Sequence, residues 1–142
     1  MQAEDFDLGG EATALAGGRT DIGALVTFSG LVRDDGSLQA LELEHYPAMT
    51  EKALAGIEAE AHARWPLKAS LIIHRVGRLE PGARIMMVAT ASAHRQAAFE
   101  AAEFLMDYLK SRAPFWKKEH LATGEARWVD AREIDEDALK RW

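Results

Sequence analysis

Pro66 and Pro114 each close a run whose apolar residues recur at helical spacing, and together they restrict how this chain can fold. Proline lacks an N–H donor and its ring clashes with the preceding turn, so neither helix can continue through it. In the first run Leu54, Ile57, Ala61 and Trp65 form one stripe, with Glu51, Lys52, Glu58, Glu60 and Arg64 on the opposite side. In the second, predicted from about His94 to Arg112, Ala98, Leu105, Met106 and Leu109 form the buried stripe with Phe99 and Ala102 beside it. Thr50 and Ser92 stand where N-caps are expected, since a hydroxyl oxygen can accept from a free helix N–H.

The other apolar runs read as strands, rich in β-branched, aliphatic and aromatic residues: 22–30, 38–46, 69–77, 83–91, 115–121 and 125–129. Asp34-Asp35-Gly36-Ser37 suits a tight turn between the first two, Leu79-Glu80-Pro81-Gly82 a turn between the next two, and Ala122-Thr123-Gly124 joins the last pair. Alternation puts Gln39, Leu41, Leu43 and His45 on one face, which is the one expected to be buried. A short helix over Glu11–Ala16 and a charged, helical tail over 131–142 complete the reading. The predicted class is α+β: antiparallel strand hairpins covered by two main helices, in the order ββαββαββ.

With 142 residues, 48% of them hydrophobic and 28% charged, there is material for one core, and a single domain over 1–142 is expected. The acidic start Met1-Gln2-Ala3-Glu4-Asp5 and the absence of a long apolar run indicate neither signal peptide nor membrane span, so a cytoplasmic location is expected. The chain contains no cysteine, which removes disulfides, thiolate metal sites and cysteine nucleophiles. The histidines (His45, His62, His74, His94, His120) show no ligand spacing, and no metal or cofactor is expected. A net charge of −6 argues against a broad nucleic-acid face.

Against that balance, Lys110 to Lys118 holds four cations (Lys110, Arg112, Lys117, Lys118) and no acid. Pro114 places Lys110 near a helix C-terminus and Lys117 on the following strand, so two ammonium groups can converge from different directions on an anion. The plain alternative is two surface lysines, one of them favoured by a helix C-terminus for electrostatic reasons. Phe115 and Trp116 between them favour the functional reading, because aromatic walls strip water from a neighbouring ammonium and make lysine usable as base or nucleophile. Arg33, at a strand end, can bind phosphate or carboxylate with two parallel bonds; the plain reading pairs it with Asp34 or Asp35. His94 and Arg95 sit at a strand-to-helix junction whose free N–H groups attract anions, or they merely flank an ordinary cap.

Phe28-Ser29-Gly30-Leu31-Val32-Arg33, Leu43-Glu44-His45-Tyr46, Ile73-His74-Arg75-Val76-Gly77, Ser92-Ala93-His94-Arg95 and Lys110–Glu119 together resemble the large, catalytic subunit of molybdopterin synthase. The match runs on through Trp128 to Arg141-Trp142. The resemblance implies sulfur transfer from the C-terminal Gly-Gly thiocarboxylate of a small ubiquitin-like subunit to cyclic pyranopterin monophosphate, forming the dithiolene of molybdopterin. It implies Lys110 and Lys117 as catalytic lysines, with Lys117 at the reacting centre and Lys110 in acid–base or electrostatic support. Arg33, His94, Arg95, Lys118 and Glu119 would line the substrate pocket, and Arg132 would reach it from the neighbouring protomer of a homodimer at the core of a heterotetramer. Leu31 stands where some relatives carry lysine, leaving a backbone contact there. The alternative is a non-catalytic module in which the same cations, with Phe115 and Trp116, hold an anion or single-stranded RNA.

Overall fold

The computed structural model describes residues 1–129 and 133–142. In chain order the elements are α1 (Leu8–Ala16), β1 (Ala24–Leu31), β2 (Leu38–His45), α2 (Pro47–Arg64), β3 (Leu67–His74), β4 (Gly77–Leu79), β5 (Arg84–Ser92), α3 (Arg95–Arg112), β6 (Phe115–Leu121), β7 (Ala126–Val129) and α4 (Glu133–Ala138), with a 3-10 turn over Leu139–Arg141. The α+β class holds: α1 and α4 fall in the stretches read as a short helix and a helical tail, and β4 is the addition to the expected order. The strands form two antiparallel sheets, β1-β5-β3 and β4-β2-β6-β7.

β5 is buried at every residue from Met86 to Ser92, so it must be central and needs a neighbour on each side. It takes β1 and β3. This corrects the first expected hairpin: β1 and β2 do not pair, although the pairs β3–β5 and β6–β7 form as predicted. After β1 the chain is tied to the turn before β5, where the Val32 N–H donates to the Ala83 carbonyl (2.9 Å) and the Gly82 N–H to the Val32 carbonyl (2.8 Å). The Asp34–Ser37 loop therefore carries the chain from one sheet to the other.

Alternation along β5 feeds two cores. Met86 and Val88 pack with Leu54, Ile57 and Ala61 of α2 and with Phe104, Leu105 and Leu109 of α3. Met87 and Ala89 face the other way, against Phe6 and Ile73, with Leu8 and Leu15 of α1 closing over them. A third cluster, Val32, Leu41, Leu43 and Leu79, lies on one face of the second sheet, so the Leu41–Leu43 face is buried as expected.

Three local expectations are corrected. Thr50 is no N-cap: α2 starts three residues earlier because Pro47 is suited to a first turn, where no N–H is needed. Ser92 turns its hydroxyl to donate to the His94 carbonyl instead of accepting from the helix. Phe99 is 59% exposed, and Ala101 and Phe104 take the buried positions, because α3 packs on both β5 and α2.

Thr50, fully buried, donates from Oγ1 to the Pro114 carbonyl (3.2 Å) and so links α2 to the turn between α3 and β6. Thr50→Val keeps the shape and leaves that half-buried carbonyl without its side-chain partner. Urea unfolding should show a loss of about 1–3 kcal/mol, with Thr50→Ser close to wild type; an unchanged midpoint in Thr50→Val would show that the bond holds nothing.

Candidate active site

α3 ends at Arg112 and the backbone turns extended at Ala113 (φ −76°, ψ 132°), so β6 begins directly after Pro114. Its register against β2 pairs His45 with Phe115, Leu43 with Lys117 and Leu41 with Glu119. Successive strand residues point to opposite faces, so Phe115, Lys117 and Glu119 share the inward face of Leu41 and Leu43. A lysine on the apolar face of a sheet needs an opening to reach, and Lys110, from the last turn of α3, borders the same one.

Two adjoining cavities, of about 420 and 340 Å³, share Leu31, Ile85, Lys110, Phe115 and Lys117. Both are large enough for a small-molecule ligand. Arg33, Glu119 and Asp135 also line the first, and Phe28, Ser29, His74 and Met106 the second. Arg33 is thus placed at the cavity; Asp34 and Asp35 accept instead from the Gly36 N–H (2.8 Å) and from the N–H and hydroxyl of Ser37 (3.0 and 2.7 Å). The Ser37 bonds hold the Asp35 carboxyl below its usual range. Glu119 accepts from Arg127 at 2.9 Å, which offsets its charge. Ser111 donates to the Asp135 carbonyl (3.1 Å) and Arg112 pairs with Glu136, fastening α4 across the end of α3.

Other expected site residues lie elsewhere in the chain. Trp116, Lys118 and His120 occupy the outward face of β6: Trp116 meets Tyr46 edge-on at 5.0 Å, the Lys118 Nζ lies 5.2 Å from the centre of the Trp128 ring, and His120 bonds Glu42 at 2.7 Å. Of the two aromatic residues expected beside the lysines, only Phe115 lines the cavities. His94 and Arg95 are exposed at the opposite end of α3 from Lys110, roughly 24 Å away at 1.5 Å rise per residue. Arg132 lies outside the described residues.

His74 went unnoticed as a site residue because its signal is three-dimensional. It ends β3, is 3% exposed, and stacks against Phe115 with ring centres 4.4 Å apart. Its Nδ1 lies 2.9 Å from the Arg75 carbonyl, an acceptor, so Nδ1 carries the proton. Burial pushes its pKa down to about 4, and the positive charges of Lys117, the N-terminus and Lys110 add to that, against the opposing Arg75 bond.

Fold and site define an α+β protein with a cavity bordered by Arg33, Lys110 and Lys117. The family model described as "MoaE protein" matches residues 1–112. The chain is 60% identical to the molybdopterin synthase catalytic subunit of Mesorhizobium japonicum, covering all of this chain and 91% of that one. It is 62% identical to the protein of the same name from Cereibacter sphaeroides, covering all of this chain and 97% of that one. It superposes on the molybdopterin biosynthesis MoaE protein of Burkholderia ambifaria with a TM-score of 0.86 at 57% identity, over 99% of this chain and 94% of that one. The chain belongs to the MoaE family.

His74 also makes the fold pH-sensitive. A native pKa of about 4 lies below the ordinary 6.5, so the unfolded chain binds a proton that the native state refuses between those values. The His74 contribution is intact above pH 6.5 and is lost as pH falls toward 4, by roughly 3 kcal/mol in all. Denaturant titrations at pH 7 and 4.5 should show His74→Phe losing less stability across that interval than wild type; identical losses would contradict it.

Proposed function

We propose that this chain is the catalytic subunit of a molybdopterin synthase, moving sulfur from the C-terminal thiocarboxylate of a small ubiquitin-like subunit to cyclic pyranopterin monophosphate. The observation that carries this reading is the convergence of Lys110 and Lys117, from a helix end and an adjoining strand, on one cavity with Arg33 at its side. Both reactants are anions and repel each other. Two unit charges 4 Å apart interact by about 4 kcal/mol at a protein surface, so a cluster of cations offsets a barrier of that order. The family and the names of its relatives supply the chemistry: "catalytic subunit" implies a second subunit, here the sulfur donor.

Lys117, held on the inward face of β6, stands at the reacting centre, where its ammonium meets the oxyanion that forms as water adds to the C-terminal glycyl carbonyl. The C–S bond then breaks, sulfur staying on the pterin and a carboxylate on the small subunit. Lys110 gives acid–base or electrostatic support. His94, Arg95 and Lys118 serve the same ligand only if a second copy brings them, since within one copy they face away from it. A homodimer with a small subunit at each cavity supplies that arrangement, and Arg132 belongs to the same proposal. The reaction is assigned to the cytoplasm; no helix among the described residues is long and apolar enough to cross a membrane. The binding-module alternative has less behind it, because Phe115 packs on His74 and Trp116 lies on the face of β6 opposite Lys117.

Single-turnover assays with thiocarboxylated small subunit test the lysine. Lys117→Ala should lower the rate about a hundredfold or more with fold and partner binding retained. Lys117→Arg keeps the charge without offering a neutral amine, so near-normal turnover there would confine the residue to electrostatics. Near-normal turnover in Lys117→Ala would remove it from the active site.

A further inference from the structure

The charged side chains that line the second cavity only donate hydrogen bonds. Lys110 and Lys117 carry donors only, while the Ser29 hydroxyl gives its one proton to the Met86 carbonyl at 3.1 Å and leaves only its oxygen to accept. Such a lining suits the anionic end of a ligand. A pterin also presents ring N–H and amino groups, which need acceptors when they leave water.

His74 lines the same cavity. Its Nδ1–H is committed to the Arg75 carbonyl and its ring packs against Phe115, which leaves Nε2 as the remaining polar atom. With Nδ1 protonated and the ring neutral, Nε2 carries a lone pair and can only accept. Burial and two nearby ammonium groups keep it so across the physiological range. A purely structural residue in this place, 3% exposed between apolar neighbours, could be aromatic or aliphatic without the cost of burying a second ring nitrogen.

We propose that His74 is a ligand-positioning residue of this cavity: its Nε2 accepts a hydrogen bond from an N–H group of the bound pterin while Lys110 and Lys117 hold the anionic end. This rests on the proposed function and deepens it, by giving the cavity a polarity that orients the heterocycle. A ligand with the phosphate but no donor on its ring system would keep the lysine contacts and lose this one.

Two side-chain amides separate positioning from architecture. Asn places its amide N–H near the Nδ1 position and keeps the bond to Arg75, but has nothing at Nε2; Gln places an amide oxygen near Nε2. Steady-state turnover with saturating thiocarboxylated small subunit should show the KM for cyclic pyranopterin monophosphate raised about fivefold to tenfold in His74→Asn, with kcat changed much less and most of the loss recovered in His74→Gln. A wild-type KM in His74→Asn would overturn the proposal, as would equal losses in both variants that follow their melting temperatures. A second measurement needs no variant: with ¹⁵N-labelled histidine in wild type, the His74 Nε2 resonance should move toward the hydrogen-bonded range when the pterin is added. Wild type that turns over while this resonance stays put sinks the role of His74 alone; wild type that does not turn over at all sinks the proposed function.

Discussion

The hydrogen bond from the buried Thr50 hydroxyl to the Pro114 carbonyl joins the longest covering helices to the strand that follows them, and the placement of both site lysines depends on that junction. Pro114 stops α3, so Lys110 stays in its last turn with its side chain at the edge of the core. One residue later β6 starts pairing with β2, and this register decides which way every β6 side chain points. A shift of one residue would exchange Lys117 for Lys118 at the cavity and turn Phe115 away from His74. The apolar face of β2, packed as Leu41 and Leu43 against Val32 and Leu79, is what prevents such a shift.

The sheet arrangement places the cavity in turn. β5, buried from Met86 to Ser92, must take a strand on each side, and this draws β1 away from β2 into the first sheet. The chain then crosses between sheets at Val32 and Arg33, which leaves Leu31 and Arg33 at the seam where α3 ends and β6 begins. Cations from β1's end, α3 and β6 meet there because three chain segments do. The protein as a whole is acidic, so the positive charge at this seam is local and runs against the net charge.

Much of this was legible in the sequence for specific reasons. Helix limits could be read at Pro66 and Pro114 because proline acts locally, and the strands could be read from their β-branched runs. Lys110 and Lys117 could be paired because a proline, which ends a helix in a known way, separates them. Partner choice between strands could not be read: the Asp34–Ser37 turn signal is real, since both aspartates accept from the loop backbone, but a turn does not oblige its flanking strands to pair. Lys118 was expected to line the same pocket as Lys117, and the β2–β6 register puts the two on opposite faces. His74 gave no sign, because its character comes from Phe115, 41 positions on, and from the charge of both lysines.

On the proposed function, the seam between Lys110 and Lys117, and not the aromatic outer face of β6, binds the substrate. A crystal structure of the chain with cyclic pyranopterin monophosphate tests it most directly. The phosphate should lie within hydrogen-bonding distance of Lys110 or Lys117, with the ring system inside the cavity against Phe115. A ligand held instead on the outward face, over Trp128 and Lys118, with the seam empty, would contradict it.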